Sequence, residues 1–409
     1  MKILLINSHH KINGGAERYY FDLSQLLTSK GHKVAYFSML DNENIKTRWK
    51  KYFVSKVDFT NNDLISFVKK ISRIFYSLEA KRKIGKLLDA FKPDIVHIQN
   101  IYYYISPSIL SEIKKRGIPI VQTVHDYQLI SPNVTLFSNG KINEETKIRK
   151  YYKAFIGKSV KGARGASFMA TLLSYFQDAF NLHKKNIDLF IAPSNFMKSK
   201  LVEYGFNRKK IVKLDNFVEG TKIKYKTSAD KYILYFGRIN EAKGILLLLD
   251  AAQQLPGIKF KVAGNFEDEN IKGKVLEKVR KEKIKNVKFL GFVTGYSLTR
   301  LVRNCYFCIV PSLWYENQPY SILESFAQGK TVVASRIGGI PEIVRDGKDG
   351  LLFEPGNVNQ FVRKIKKLWD NPVLARNLGQ NARKLVNEKY NPGVHYQKIM
   401  AIYKKILAK

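Results

Sequence analysis

Glu316 and Glu324 stand eight positions apart in the densest run of informative residues in the chain, Pro311 to Leu352. Trp314, Tyr315, Glu316, Asn317 and Gln318 read as a loop, and Pro319 suits the first turn of a helix, where its missing N–H costs nothing. The helix then runs through Ser321, Ile322, Leu323, Glu324, Phe326 and Ala327 to Gly329. That leaves Glu316 before the helix mouth and Glu324 about one and a half turns inside it. Between them the N–H groups of Tyr320 and Ser321 point outward, and a helix end of this kind attracts an anion. An anion flanked by two carboxylates suits a ligand carrying a phosphate with hydroxylated groups on both sides. A nucleotide sugar is such a ligand.

Three further motifs lie where a strand hands over to a helix. Gly237 and Arg238 follow a strand at 232–236, and Lys243-Gly244 opens the next helix. The two cations either converge on one anion, Arg238 as a planar fork and Lys243 as a point charge, or are ordinary solvated surface. Gly14-Gly15-Ala16-Glu17 follows the first strand, and is either a plain tight turn or a place where backbone approaches an anion closely. His9 and His10 just before it read as solvated loop residues. His125 and Asp126 follow a strand at 118–123. His125 there is either a cap or a hydrogen-bonding partner for a sugar hydroxyl, its ring oriented by Asp126. Gly338-Gly339 and the turn at 346–350 read as supports of the site.

Positioning these residues takes two series of alternating strands and helices, which argues for parallel sheets built from βαβ units. In the first series strands are expected at 2–7, 34–38, 95–98, 118–123 and 189–192. In the second they are expected at 232–236, 259–263, 287–290, 307–310, 331–334 and 351–353. The turn-rich stretch 215–231 separates the series, giving an N-terminal domain over 1–217 and a C-terminal domain over 218–392. The helix at about 393–409 is expected to pack back on the first domain. Each half reads as a Rossmann-like α/β domain, a fold that binds ligands at the carboxyl ends of its strands, and two such domains facing each other enclose an interdomain cleft.

Composition bounds the partners. Seventy-one basic against 34 acidic residues give a net charge of +37 over 409 residues, which calls for an anionic partner or surface. No nucleic-acid-binding motif stands out, so nucleic acid is not expected. Cys305 and Cys308 lie beside an apolar strand with no companion ligands, and read as buried inert thiols rather than a metal site. The chain opens on a strand too short for a signal-peptide core and contains no membrane-spanning run, so a cytoplasmic place is expected, peripheral on the inner face of the cell membrane if the charge grips lipid. Residues 64–92 combine Lys69, Lys70, Arg73, Lys81, Arg82, Lys83, Lys86 and Lys92 with apolar residues at helical spacing. This is either an interfacial helix on anionic lipid or an ordinary surface helix. A second basic stretch, 141–161, ends before Phe168-Met169-Ala170-Thr171-Leu172-Leu173, and invites the same membrane reading.

Taken together, the motifs at 236–244 and 311–352, with Glu316 and Glu324 in an E-x7-E spacing, make the chain resemble the GT-B retaining glycosyltransferases of family 4. The resemblance implies a GT-B fold and a metal-independent hexosyltransferase that uses no cofactor. Its co-substrate would be a nucleotide diphosphate sugar, UDP-linked before GDP-linked, and its acceptor a glycan or lipid-linked molecule of envelope, capsule or exopolysaccharide synthesis. Carried over residue by residue, Arg238 and Lys243 would bind the donor diphosphate, Glu324 the ribose, and Glu316 the sugar hydroxyls. Gly237 and the backbone of Asn317, Gln318, Pro319, Tyr320 and Ser321 would cradle phosphate. His125 would face the donor sugar, and Gly14 and Gly15 would approach the diphosphate. Two rivals remain at this level: a GT-B epimerase or hydrolase, marked by donor turnover without acceptor, and a non-catalytic basic protein binding nucleic acid or lipid.

Overall fold

The computed structural model describes residues 1–408 apart from 57–74, 148, 161 and 221–230. Two compact units emerge, one formed by Met1–Asn139, Asn143–Leu214 and Tyr396–Lys409, the other by Gly140–Ile142 and Asp215–His395. Each is a Rossmann-like α/β domain around a six-stranded, wholly parallel sheet.

In the first unit the strands are β1 (Lys2–Ile6), β2 (Lys33–Phe37), β3 (Ile95–Ile98), β4 (Ile120–Thr123), β5 (Leu189–Ala192) and β6 (Ile211–Lys213), in the spatial order β2-β1-β3-β4-β5-β6. The central strands are apolar at nearly every position because helices cover both faces of a parallel sheet; Ile3, Leu4, Leu5 and Ile6 are fully buried. The C-terminal helix Pro392–Leu407 is tied into this unit through Tyr403, whose hydroxyl lies 2.7 Å from His97 Nδ1, and Tyr396, 2.9 Å from His32 Nε2.

In the second unit the strands are β7 (Ile233–Phe236), β8 (Phe260–Ala263), β9 (Val287–Phe289), β10 (Phe307–Val310), β11 (Val332–Ser335) and β12 (Gly350–Phe353), ordered β9-β8-β7-β10-β11-β12. Strand alternation divides the core between the two faces. Ile233 and Tyr235 join Leu248, Val262 and Phe361 on one face, while Leu234 and Phe236 join Ile322, Phe326 and Ile340 on the other.

Several expectations need correction. The strand Ile211–Lys213 was not anticipated; three residues are too few to show a period. Pro319 stands one residue outside its helix, with extended backbone (φ −67°, ψ 127°), and the helix is Tyr320–Ala327. His10 is no solvated residue: Tyr20, Phe21, Tyr36 and Phe53 surround its ring. Of the basic stretch 64–92, residues 64–74 lie outside the described residues. The helix Leu78–Phe91 buries Ala80, Ile84, Leu87, Leu88 and Phe91, so over that span it is an ordinary surface helix. Among the described residues no helix is long and apolar enough to cross a membrane.

Candidate active site

In the second sheet the strand order reverses between β7 and β10, which are neighbours with Phe307 opposite Ile233. Connections leave such a pair in opposite directions, so the loops beyond their carboxyl ends part and leave room for a ligand. Arg238 and Lys243 follow β7, and Ser312 to Glu316 follow β10. Gly244 draws the two loops together. Its backbone is left-handed at φ +75°, and a Cβ there would come within 1.9 Å of the Pro311 carbonyl oxygen. Beside it, the Leu313 N–H donates to the Ala242 carbonyl at 2.8 Å.

This contact sets Lys243 against Glu316. The ammonium donates to Glu316 Oε1 at 2.5 Å and lies 5.1 Å from the centre of the Trp314 ring. The Ser312 hydroxyl donates to the same Oε1 at 2.7 Å. Glu316 is almost wholly buried, so its charge is met by one cation and one hydroxyl rather than by bulk water. Its backbone is held by the turn after β11: the Gly339 N–H donates to the Glu316 carbonyl at 2.6 Å, and at Gly338 (φ +58°) a Cβ would stand 2.2 Å from that oxygen. Gly338 and Gly339 are therefore supports of Glu316.

The remaining residues of the cluster divide by environment. The Arg238 guanidinium is 57% exposed, and its ion pair to Glu267 is a long 3.5 Å. Helix Tyr320–Ala327 starts directly after Pro319, whose side chain makes no capping hydrogen bond. Glu324 is the fifth residue of that helix and half-buried, whereas Asn317 is buried. Gln318 is turned to another task. Its Oε1 accepts from the Asn216 N–H at 2.5 Å and its Nε2 donates to Asp215 at 3.0 Å, so its side chain pins the first residues of the unit. Gly237 donates its N–H to Ala263 at 3.0 Å as β7 ends. Cys305 and Cys308 are both free and buried, their sulfurs 3.4 Å apart. Among the described residues no three His, Cys, Asp or Glu side chains group as a metal would require.

In the first unit the order reverses between β1 and β3, so the loop carrying Gly14 and Gly15 again stands at a switch point. Gly14 precedes helix Gly15–Ser29 with extended backbone and no side-chain cap. His125 follows β4, its Nε2 2.8 Å from Gln99 Oε1, and burial pushes its pKa down to about 3, which keeps the ring neutral. Asp126 accepts from the Gln128 N–H at 3.0 Å in a local turn, and the partner at His125 Nε2 is Gln99. Sequence reading missed both Gln99 and Ser312; the available signal was that each stands just past the carboxyl end of its strand.

The profile of Glycosyltransferase Family 4 matches residues 13–220, and that of Glycosyl transferases group 1 matches residues 220–385. A Klebsiella pneumoniae chain described as an uncharacterized 42.6 kDa protein in the cps region is 28% identical over 84% of this chain and 88% of its own length. The lipopolysaccharide core biosynthesis glycosyltransferase LpsE of Rhizobium meliloti is 28% identical over 54% of this chain and 65% of its own. Among solved structures, Anabaena Alr3699/HepE in complex with UDP-glucose superposes with a TM-score of 0.68 at 17% identity, covering 99% of this chain and all of that one.

Proposed function

This chain belongs to the GT-B glycosyltransferases, and we propose that it acts as a retaining, metal-independent enzyme moving a sugar from a nucleotide diphosphate donor to a glycan or lipid-linked acceptor. The observation that carries the reading is the Lys243–Glu316 pair at the switch point of the second sheet, beside the start of helix Tyr320–Ala327. In it a cation stands ready for a diphosphate, next to a carboxylate whose proper partners are hydroxyls.

Breaking the sugar–phosphate bond builds positive character on the sugar carbon and negative charge on the departing diphosphate. Lys243, Arg238 and the N–H end of helix Tyr320–Ala327 meet that negative charge where it develops, and losing one such donor typically costs about 10²–10³ in rate. The acceptor oxygen bonds to the same face of the sugar carbon that the phosphate leaves, and its proton passes to the leaving phosphate oxygen. No protein carboxylate is needed as base, so Glu316 is assigned to the sugar hydroxyls and Glu324 to the ribose. The neutral His125 ring is assigned a sugar hydroxyl, and the backbone at Gly14 and Gly15 the diphosphate. The HepE complex with UDP-glucose supports a UDP-linked donor, and the LpsE relative supports an envelope polysaccharide as the destination.

The test is release of the nucleoside diphosphate, UDP or GDP, from a panel of UDP- and GDP-sugars, with and without a cell-envelope lipid and glycan extract. UDP release that rises on addition of the extract is expected. Equal release without acceptor would overturn the transferase reading in favour of a hydrolase or epimerase.

A further inference from the structure

The first unit carries a helical hairpin that exposes a stripe of large apolar side chains on its outer face. In helix Arg164–Ala179 the inward face is formed by Ser167, Ala170, Thr171 and Leu173, all buried. Thr171 donates its hydroxyl to the Tyr151 carbonyl at 3.2 Å, and the Ser167 hydroxyl accepts from the Val160 N–H at 3.1 Å. The outward stripe, at spacings of four and three residues, is Phe168, Leu172 and Tyr175, each exposed. A surface helix ordinarily turns its apolar stripe inward. The shorter helix Tyr152–Ile156 does the same thing: Tyr152, Phe155 and Ile156 point to solvent, Ile156 at 69% exposure. The Phe155 and Phe168 rings meet edge to face at 5.6 Å, so the two stripes form one continuous apolar patch.

Charge around the patch identifies its occupant. Arg149, Lys150, Lys153, Lys158 and Arg164 belong to this stretch, and the only acid between positions 149 and 180 is Asp178. That carboxylate is taken up by Arg149 at 2.6 Å and Lys184 at 3.3 Å. A second copy of the chain would bring the same cations face to face, in a molecule already at +37. A single-stranded nucleic acid would stack on the rings but gain nothing from Ile156 and Leu172. An anionic bilayer rewards every part: aliphatic and aromatic side chains enter the acyl boundary, the tyrosines sit at headgroup depth, and the cations meet lipid phosphate. We propose that the hairpin formed by helices Tyr152–Ile156 and Arg164–Ala179 is a docking surface for an anionic lipid membrane. The proposal stands on the hairpin alone and does not depend on the donor site.

The experiment is co-sedimentation of the full chain with phosphatidylcholine vesicles containing about one-third phosphatidylglycerol, against pure phosphatidylcholine vesicles. Binding to the anionic vesicles in low salt, largely lost near 0.5 M salt where screening is short-ranged, at about 3–5 Å, is expected. The double substitution Phe168→Ser, Leu172→Ser should weaken binding by about tenfold or more, leaving UDP release unchanged and lowering the melting temperature only slightly, since both side chains are exposed and the packing lost is chiefly the Phe155–Phe168 ring contact. Lys150→Glu with Lys153→Glu should weaken anionic binding likewise. A Tyr152→Trp reporter should shift its emission to the blue on anionic vesicles. Equal sedimentation of wild type and double variant, equal binding to neutral vesicles, or no shift in the reporter would overturn the proposal. So would a dimer, or retention of a single-stranded oligonucleotide, that the same substitutions abolish in place of vesicle binding.

Discussion

At the scale of the residue, Lys243 is held by Glu316 before any ligand arrives, and this couples their assigned roles. A diphosphate must compete with a buried carboxylate for the ammonium, while a sugar hydroxyl must compete with the ammonium for the carboxylate. Glu316→Gln separates the two. It frees Lys243, so the affinity for UDP alone should hold or rise, while turnover of the UDP-sugar should fall by about 10²-fold or more if the carboxylate holds the transferred sugar. Titration calorimetry with UDP beside steady-state UDP release checks this. Loss of UDP affinity with normal turnover would reverse the two assignments. The spacing of Glu316 and Glu324 was readable in the sequence, but their environments were not. Lys243 and Glu316 are 73 positions apart, and only the pairing of β7 with β10 brings them together. Gln99 beside His125 was missed for the same reason, because it reaches the ring through the adjacency of β3 and β4.

At the scale of the element, the geometry of the site depends on how closely two strand-to-helix loops can approach. Gly244 sets that distance. Gly244→Ala places a Cβ against the Pro311 carbonyl in a left-handed backbone, and should destabilise the second unit by about 1–3 kcal/mol. It should also lower UDP affinity, since relief of the clash moves Lys243 away from the helix start. A urea melt and a UDP titration measure both, and wild-type values in each would show that the loop contact does not shape the site. The strands were legible because a parallel sheet covered on both faces demands short apolar runs, and those at 307–310 and 332–335 are such runs. Helix boundaries were less so. Pro319 satisfies the steric rule for a first turn equally well from the position just outside it, and only the backbone angles decide.

At the scale of the whole molecule, acid should loosen the first unit before the second. Burial pushes His10 down to about 4, His183 to about 4 and His125 to about 3, while the unfolded chain titrates near the ordinary value of about 6.5. Between those values the unfolded state binds more protons. Stability is therefore fully present above about 6.5 and is lost as pH falls toward about 4, by up to about 1.4 kcal/mol per pH unit for each such histidine. Urea midpoints should drop between about pH 7.5 and 5, and His10→Gln should flatten the slope; a midpoint independent of pH would contradict the burial account. His10 was illegible in the sequence because nothing local distinguishes a loop histidine from one enclosed by Tyr20, Tyr36 and Phe53. The charge-neutralising role given to Arg238, Lys243 and the helix end makes a second forecast: UDP release should persist in excess EDTA, and its loss, with recovery on added Mg²⁺ or Mn²⁺, would transfer that role to a metal.

The central claim is that Lys243 binds the donor diphosphate, and UDP affinity of wild type against Lys243→Ala tests it most directly. A charge-assisted contact of about 1.5–3 kcal/mol corresponds to a loss of about 10–150-fold in affinity, read on folded protein because the buried Glu316 left without its cation lowers the melting temperature. Equal UDP affinity in the two proteins would contradict the account.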